Sequence, residues 1–239
     1  MKKEGNRMLI DHKYVHRHEK GFIVCHWLNA LAFIMLYVTA LPLYSEYFHF
    51  FYTILSPYTF QILHRTFAVL FIITPVLSLF LAPKSMKHWA KQIIDVGIDD
   101  IKFFIYFPLE ALGLHPKGMP KQGFYNAGEK LNSALQIFAW VLLVASGLAL
   151  WFGGASLAKE TMYWMVPIHS AAAGLAFVGF IGHFYLAMFA NPDSMRGMKA
   201  GNIHIRYAKA HHEAWYEELI ARGKISREEA EKAIKENNA

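Results

Sequence analysis

The sequence predicts an all-α integral membrane protein, a bundle of four transmembrane helices with both termini on the cytoplasmic side. Three observations carry this prediction. Apolar residues make up 55% of the 239 residues, and mean hydropathy is positive at +0.22. They gather into four nearly uncharged runs, each long enough for a ~30 Å hydrocarbon core, where the backbone must bond to itself and is therefore helical. The basic residues are also lopsided. Of 24 Lys and Arg, six lie in 1–21, seven in 83–130 and nine in 191–239, whereas the opposite loops hold only Arg65 and Lys159. An excess of basic residues marks the cytoplasmic side. The net charge of +6 thus belongs to the membrane surface and does not point to nucleic acid.

The elements follow in order. Residues 1–21 are polar and basic. The first span covers about 22–44 and ends near Pro42. It is too long an apolar run, with too charged a lead, to be a cleaved signal. Pro57 and the aromatic stretch Phe48–Tyr52 indicate an interfacial outer loop. The second span, about 58–82, carries Pro75, which predicts a kink. The loop 83–128 contains Ile93–Leu112, a mix of apolar and acidic residues that predicts an amphipathic surface helix. The third and fourth spans cover about 129–152 and 163–190. The tail 191–239 is charged, and Ser226 with Glu229 three residues on resembles a capping box. There is no internal repeat, and 1–239 reads as one membrane domain.

The only cysteine is Cys25. That rules out an internal disulfide, a thiolate-held iron–sulfur cluster and covalent haem attachment through C-x-x-C-H.

Four histidines lie inside the spans, where ionisable side chains mark functional sites by default. His169 and His183 share a run, Thr161–Ala190, that holds no Asp, Glu, Lys or Arg. Fourteen residues at 100° each fall only about 40° short of four turns, so both rings leave one helix face, about 21 Å apart along the axis. Depth then pairs them. The first span enters from the cytoplasm, which places His26 near the inner surface. The second and fourth enter from outside, which places His64 and His169 near the outer surface and His183 near the inner one. His26 with His183, and His64 with His169, are the two same-depth pairs. Each joins two helices, as a bis-histidine haem requires. The pattern predicts two b haems.

The rival for any single histidine is a bundle-facing polar residue bonded to a hydroxyl or a carbonyl. Zinc is a weaker rival, because its ligands must converge on one centre. The small residues Ala171–Gly174, Gly179 and Gly182 suit a flat macrocycle, but they suit helix packing equally well. His12, His16, His18, His88, His115, His204, His211 and His212 read as solvated, and His49 as interfacial. Arg65 is placed either to meet a haem propionate or to snorkel to lipid phosphates.

Several motifs extend the pattern. Cys25-His26-Trp27 opens the first span and Ile62-Leu63-His64 the second. Tyr125-Asn126-Ala127-Gly128, with Lys130 following, precedes the third. Ile168-His169 leads Ala171-Ala172-Ala173-Gly174, with His183 beyond, and His211-His212 is followed by Trp215-Tyr216. In order and spacing, from about Phe22 to Leu219, the chain resembles the cytochrome b (gamma) subunit of membrane-bound formate dehydrogenase. The resemblance implies four spans, two haem b groups, and His64 and His169 as outer and His26 and His183 as inner axial ligands. It also implies a quinone site at Asn126, Gly128, Glu129 and His183, with menaquinone the expected quinone. No residue of the chain itself is expected to be catalytic toward formate. The implied partners are an iron–sulfur beta subunit and a molybdenum- or tungsten-containing alpha subunit, together with membrane lipid, in the bacterial inner membrane.

There are departures from the family pattern. Glu129 stands where glutamine is expected, Arg65 where proline is expected, and Ser170 where alanine is expected. Glu129 reads either as a proton carrier beside the quinone or as a carboxylate favoured by the helix dipole. The expected function is electron transfer from the iron–sulfur subunit through two haems to quinone, with proton uptake from the cytoplasm. The alternatives are a cytochrome b subunit of a nickel–iron hydrogenase or sulfur-compound reductase, and a haem-free anchor or transporter.

Overall fold

The computed structural model describes residues 9–11, 13–114 and 116–236. In chain order the elements are strands β1 (Leu9–Ile10) and β2 (Tyr14–His16), then helices α1 (Lys20–Tyr44), α2 (Pro57–Leu81), α3 (Pro83–Ile94), α4 (Ile98–Ala111), α5 (Ala127–Phe152), α6 (Lys159–Tyr185) and α7 (Met195–Ala200). Strand β3 (Asn202–His204) and helices α8 (Ile205–His211), α9 (Glu213–Ala221) and α10 (Arg227–Glu236) complete the chain. Four helices are long and apolar enough to span a membrane, α6 being prolonged to Ala190 by a π turn at Leu186–Ala190.

The chain divides into two compact units, His18–His88 and the remainder. The first unit is the α1–α2 hairpin. Ser56 caps α2 by accepting the Thr59 amide (3.1 Å), and Pro57 fills the first helical position, where its missing N–H costs nothing. Inside the hairpin, Thr74 donates to Asn29 Oδ1 (2.7 Å), and Phe33 packs against Phe71. Glu19 accepts the Ser85 amide (2.9 Å) while its own amide donates to the Ser85 hydroxyl (3.2 Å), so the start of α1 caps α3. Pro83 begins α3 immediately after α2, in a segment the sequence reading leaves as loop. Pro42 and Pro75 lie within α1 and α2.

The second unit contains the α5–α6 hairpin and a basal body. Asn126 and Glu129 form a reciprocal capping box at the start of α5, Asn126 Oδ1 accepting the Glu129 amide and Glu129 the Asn126 amide, both at 2.8 Å. The expected amphipathic segment is helical as α4, whose Phe103 is buried. The basal body is the finding that sequence periodicity does not announce. Strands β1, β2 and β3 form an antiparallel sheet in which Val15 faces Ile203. Val15, Ile203, Ile205, Tyr207, Trp215, Tyr216 and Leu219 are buried together with Phe124 and Tyr125. Ser226 caps α10 by accepting the Glu229 amide (3.1 Å), as its spacing predicts.

The spans themselves bury little. Residues such as Val24, Leu31, Phe80, Phe138 and Val178 are exposed, an apolar surface of the kind a membrane span presents. The chain is mostly helical with four candidate spans, as expected, and carries in addition a small three-stranded sheet.

Candidate functional site

The site starts with two hydroxyls. On α1, Thr39 is 1% exposed and donates its proton back to the Met35 carbonyl (2.7 Å). On α5, Ser146 is also 1% exposed and donates to the Leu142 carbonyl (2.5 Å). A hydroxyl has one proton, so each oxygen is left as an acceptor. His64 Nδ1 lies 3.0 Å from Thr39 Oγ1, and His169 Nδ1 lies 2.9 Å from Ser146 Oγ. Each imidazole therefore carries its proton on Nδ1 and keeps the Nε2 lone pair. Such a second contact fixes both the tautomer and the orientation of a metal-ligating histidine. Both histidines are half-buried.

Gly147 adds a steric condition. A Cβ there would stand 3.2 Å from His169 Cε1, tighter than ordinary packing. The absent side chain is the space the ring occupies. His26 is half-buried on α1, its ring edge-on to Trp27, and His183 is exposed on α6. Arg65 follows His64 on α2 and is half-buried.

The Asn126 segment is built from a second buried group of polar residues. Arg17 is buried and donates to the Phe124 carbonyl (2.8 Å) and to both Glu129 carboxylate oxygens (3.1 and 3.2 Å). The Arg17 guanidinium also lies over the rings of Phe124 and Tyr125. Glu129 thus serves the α5 cap and an ion pair at once, a role beyond the dipole-favoured carboxylate, and it sits within electrostatic reach of His183 and His212. Gly128 lies under α4. A Cβ there would meet Asn126 Oδ1 at 3.3 Å, and Phe103 and Phe107 at 3.7 Å.

Several histidines read as solvated are not. His18 and His212 are buried, and His204 and His211 are half-buried. His18 stacks on Phe22 at the start of α1, while His204, His211 and His212 belong to the basal body, which no local periodicity signals. His212 is held neutral. Its Nδ1 donates to the Gly123 carbonyl (2.9 Å), and burial with Arg17 nearby pushes its pKa down to about 3. His211 lies 3.0 Å from the Glu110 carboxylate. Burial raises the Tyr125 and Tyr207 phenols well above their usual range. His16 and His49 are exposed, whereas His12 and His115 lie outside the described residues. Among the described residues no group of three or more His, Cys, Asp or Glu side chains is placed to hold a metal ion.

Long apolar helices carrying hydroxyl-anchored histidines define a class, the membrane cytochromes that hold haem between helices. The comparisons agree. A family model described as prokaryotic cytochrome b561 matches residues 17–201, and the chain belongs to that family. It is 26% identical over 213 residues to the formate dehydrogenase cytochrome b556 subunit of Haemophilus influenzae, covering 85% of this chain and 83% of that protein. The nitrate-inducible formate dehydrogenase cytochrome b556 subunit of Escherichia coli K12 is 24% identical over 218 residues, 90% of this chain and 93% of the relative. A second formate dehydrogenase cytochrome b556 subunit of that strain is 25% identical over 203 residues, 81% and 88% of the two chains. The family implies haem b in a multi-pass membrane protein. The residues fit that group, since His64 and His169 each keep Nε2 as a donor atom, and Gly147 leaves room beside the His169 ring.

Proposed function

We propose that this chain is the cytochrome b subunit of a formate dehydrogenase complex and carries electrons to quinone through two haem b groups. His26, His64, His169 and His183 are the axial ligands, paired as their depths in the sequence dictate. The observation that carries the reading is the matched anchoring of His64 by Thr39 and of His169 by Ser146, in a chain similar to formate dehydrogenase cytochrome b subunits over more than four-fifths of its length. Bound haem supplies one-electron transfer. The protein holds the His64 and His169 imidazoles in the tautomer that ligates iron, fixes their ring direction through the Thr39 and Ser146 hydroxyls and excludes water with apolar helices.

The electron donor in this reading is an iron–sulfur subunit, fed by a molybdenum- or tungsten-containing subunit that oxidises formate. The acceptor is a quinone, menaquinone in a bacterial inner membrane, near Asn126, Gly128, Glu129 and His183. Asn126 Oδ1 is engaged by the α5 cap, so the amide Nδ2 is the group turned to quinone. Reducing a quinone to quinol takes two electrons and two protons. Glu129, held at the helix start by Arg17, is the carboxylate that would carry those protons. With both termini cytoplasmic, those protons come from the cytoplasm.

The test is a formate-driven one. The purified complex should show a reduced b-type spectrum with about two haems per chain. His64→Ala and His169→Ala should each remove the same one. One haem or none in the parent protein, or different haems lost in the two variants, overturns the assignment. Asn126→Ser keeps a capping acceptor and removes the amide. It should slow quinone reduction while formate still reduces the haems, and unchanged quinone turnover removes Asn126 from the quinone site.

A further inference from the structure

A basic cavity of about 450 Å³ opens in the basal body, lined by Tyr14, Asp193, Arg196, Lys199, His204 and Arg206 among others. Three cationic side chains and one carboxylate line it. Arg196 is already positioned. Its Nε donates to Asn202 Oδ1 (2.8 Å), and its guanidinium lies flat on the Tyr14 ring, 3.8 Å from the centroid. The planar fork is therefore held in one orientation before any ligand arrives, so little freedom is lost on binding. β2 and β3 fix this arrangement by pairing Tyr14 with His204.

His204 adds a donor. Its Nδ1 accepts the Arg206 amide (3.1 Å), which places the neutral ring's proton on Nε2. That Nε2 is buried without a hydrogen-bonding partner among the described residues. Burial and the nearby charges of Arg206, Lys13 and Arg196 lower the His204 pKa, partly offset by Asp193. A ring surrounded by positive potential gains from a neighbouring anion.

Position selects the kind of anion. The lining begins at Pro192, two residues beyond Ala190, where the uncharged run of the fourth span ends. Met188 and Phe189 on the adjoining π turn are exposed apolar side chains. A phosphate at the cavity would therefore have hydrocarbon surface beside it, as an amphiphile needs. Basic pockets at the ends of spans suit anionic lipid headgroups. We infer that this cavity binds the phosphate of an anionic phospholipid, with Arg196, Lys199 and Arg206 as its cationic contacts and the acyl chains along the end of α6. The inference stands apart from the haem assignment and needs only the four spans.

The experiment uses the full chain in zwitterionic detergent micelles, titrated with phosphatidylglycerol and read by native mass spectrometry. One tightly held phosphatidylglycerol per chain is expected, with phosphatidylcholine and inorganic phosphate failing to displace it. Arg196→Gln with Lys199→Gln should weaken retention about 30-fold, at roughly fivefold per basic side chain. Lys232→Gln with Lys235→Gln removes the same charge from α10 and should leave retention unchanged. The thermal midpoint reports folding of each variant. If the double variant fails to fold, Lys199→Gln alone should still weaken retention about fivefold. Equal loss in the α10 control, equal retention of phosphatidylcholine, or displacement by millimolar phosphate overturns the lipid site.

Discussion

The two membrane hairpins hold a histidine by the same chemistry and make room for it differently. In α1–α2 the anchoring threonine lies on the earlier helix and its histidine near the start of the later one. The α5–α6 hairpin repeats this order with a serine. The difference lies beside the ring. Gly147 follows Ser146 directly and leaves the space that the His169 imidazole fills. The α1–α2 hairpin has alanine after Thr39, and its interior holds a polar cross-link, Thr74 to Asn29, and the Phe33–Phe71 contact. A histidine can thus be oriented by one hydroxyl in either setting, but only one of the two settings depends on a glycine.

The largest expected effect breaks that asymmetry. Gly147→Val should abolish one haem, because its branches would occupy the His169 ring position, whereas Ala40→Val, beside Thr39, should keep both haems. Reduced-minus-oxidised spectra measure the outcome. Loss in both variants, or in neither, would mean that the glycine does not distinguish the hairpins. A smaller effect concerns the anchors. Ser146→Ala and Thr39→Val should each keep the fold and weaken haem retention about 10- to 100-fold, with Thr39→Ser close to the parent. Haem loss to apomyoglobin over time gives the readout, and equal rates in all variants would make the hydroxyls mere packing.

Two further predictions compare the hairpins with the basal body, which is stabilised as a water-soluble core is. Arg17→Met leaves the Phe124 carbonyl and a partly exposed Glu129 without their partner, and should cost about 1–3 kcal/mol, seen as a lowered thermal midpoint with both haems retained. The last effect is pH-dependent and small near neutrality. His212 is neutral in the folded protein down to about pH 3 but titrates near 6.5 when unfolded. The unfolded chain therefore binds the extra proton. Stability from this residue is complete above pH 6.5 and declines as pH falls toward 3, by at most about 1.4 kcal/mol per unit. The groups acting on it are Arg17, Glu129 and His211. His212→Asn retains a donor for the Gly123 carbonyl and should flatten this slope, as measured by thermal midpoints between pH 5 and 7.

What could be read from the sequence divides along the same line. The four spans are legible because lipid imposes length and composition on consecutive residues, and a run such as Thr161–Ala190 needs no partner to be recognised. His64 and His169 are legible as ionisable groups inside those runs. Thr39 and Ser146 were not, because a lone hydroxyl in an apolar helix is common and gains meaning only from the histidine across the hairpin. Their signal is positional, since each hydroxyl sits near the end of the earlier helix and its histidine near the start of the later one, across the hairpin. The sheet was hidden for a different reason. Tyr14–His16 and Asn202–His204 are too short to show alternation, and Asn202–His204 is a strand only because the distant Tyr14–His16 pairs with it. The burial of His212 is equally non-local, since its partner is the Gly123 carbonyl far upstream. Glu129 reads in sequence as a dipole-favoured carboxylate or a proton carrier, and nothing in the local pattern marks Arg17, far upstream, as its partner.

The pairing of Val15 with Ile203 also sets a timetable for biosynthesis. A ribosome adding about 5–20 residues per second delivers β3 roughly ten seconds or more after β2, once all four apolar segments have been made. Until then the early strand has β1 on one edge and nothing on the other, and Val15 lacks its partner Ile203. Chains that stall before residue 203 would keep that edge exposed, giving proteases a mark that separates unfinished subunits from finished ones.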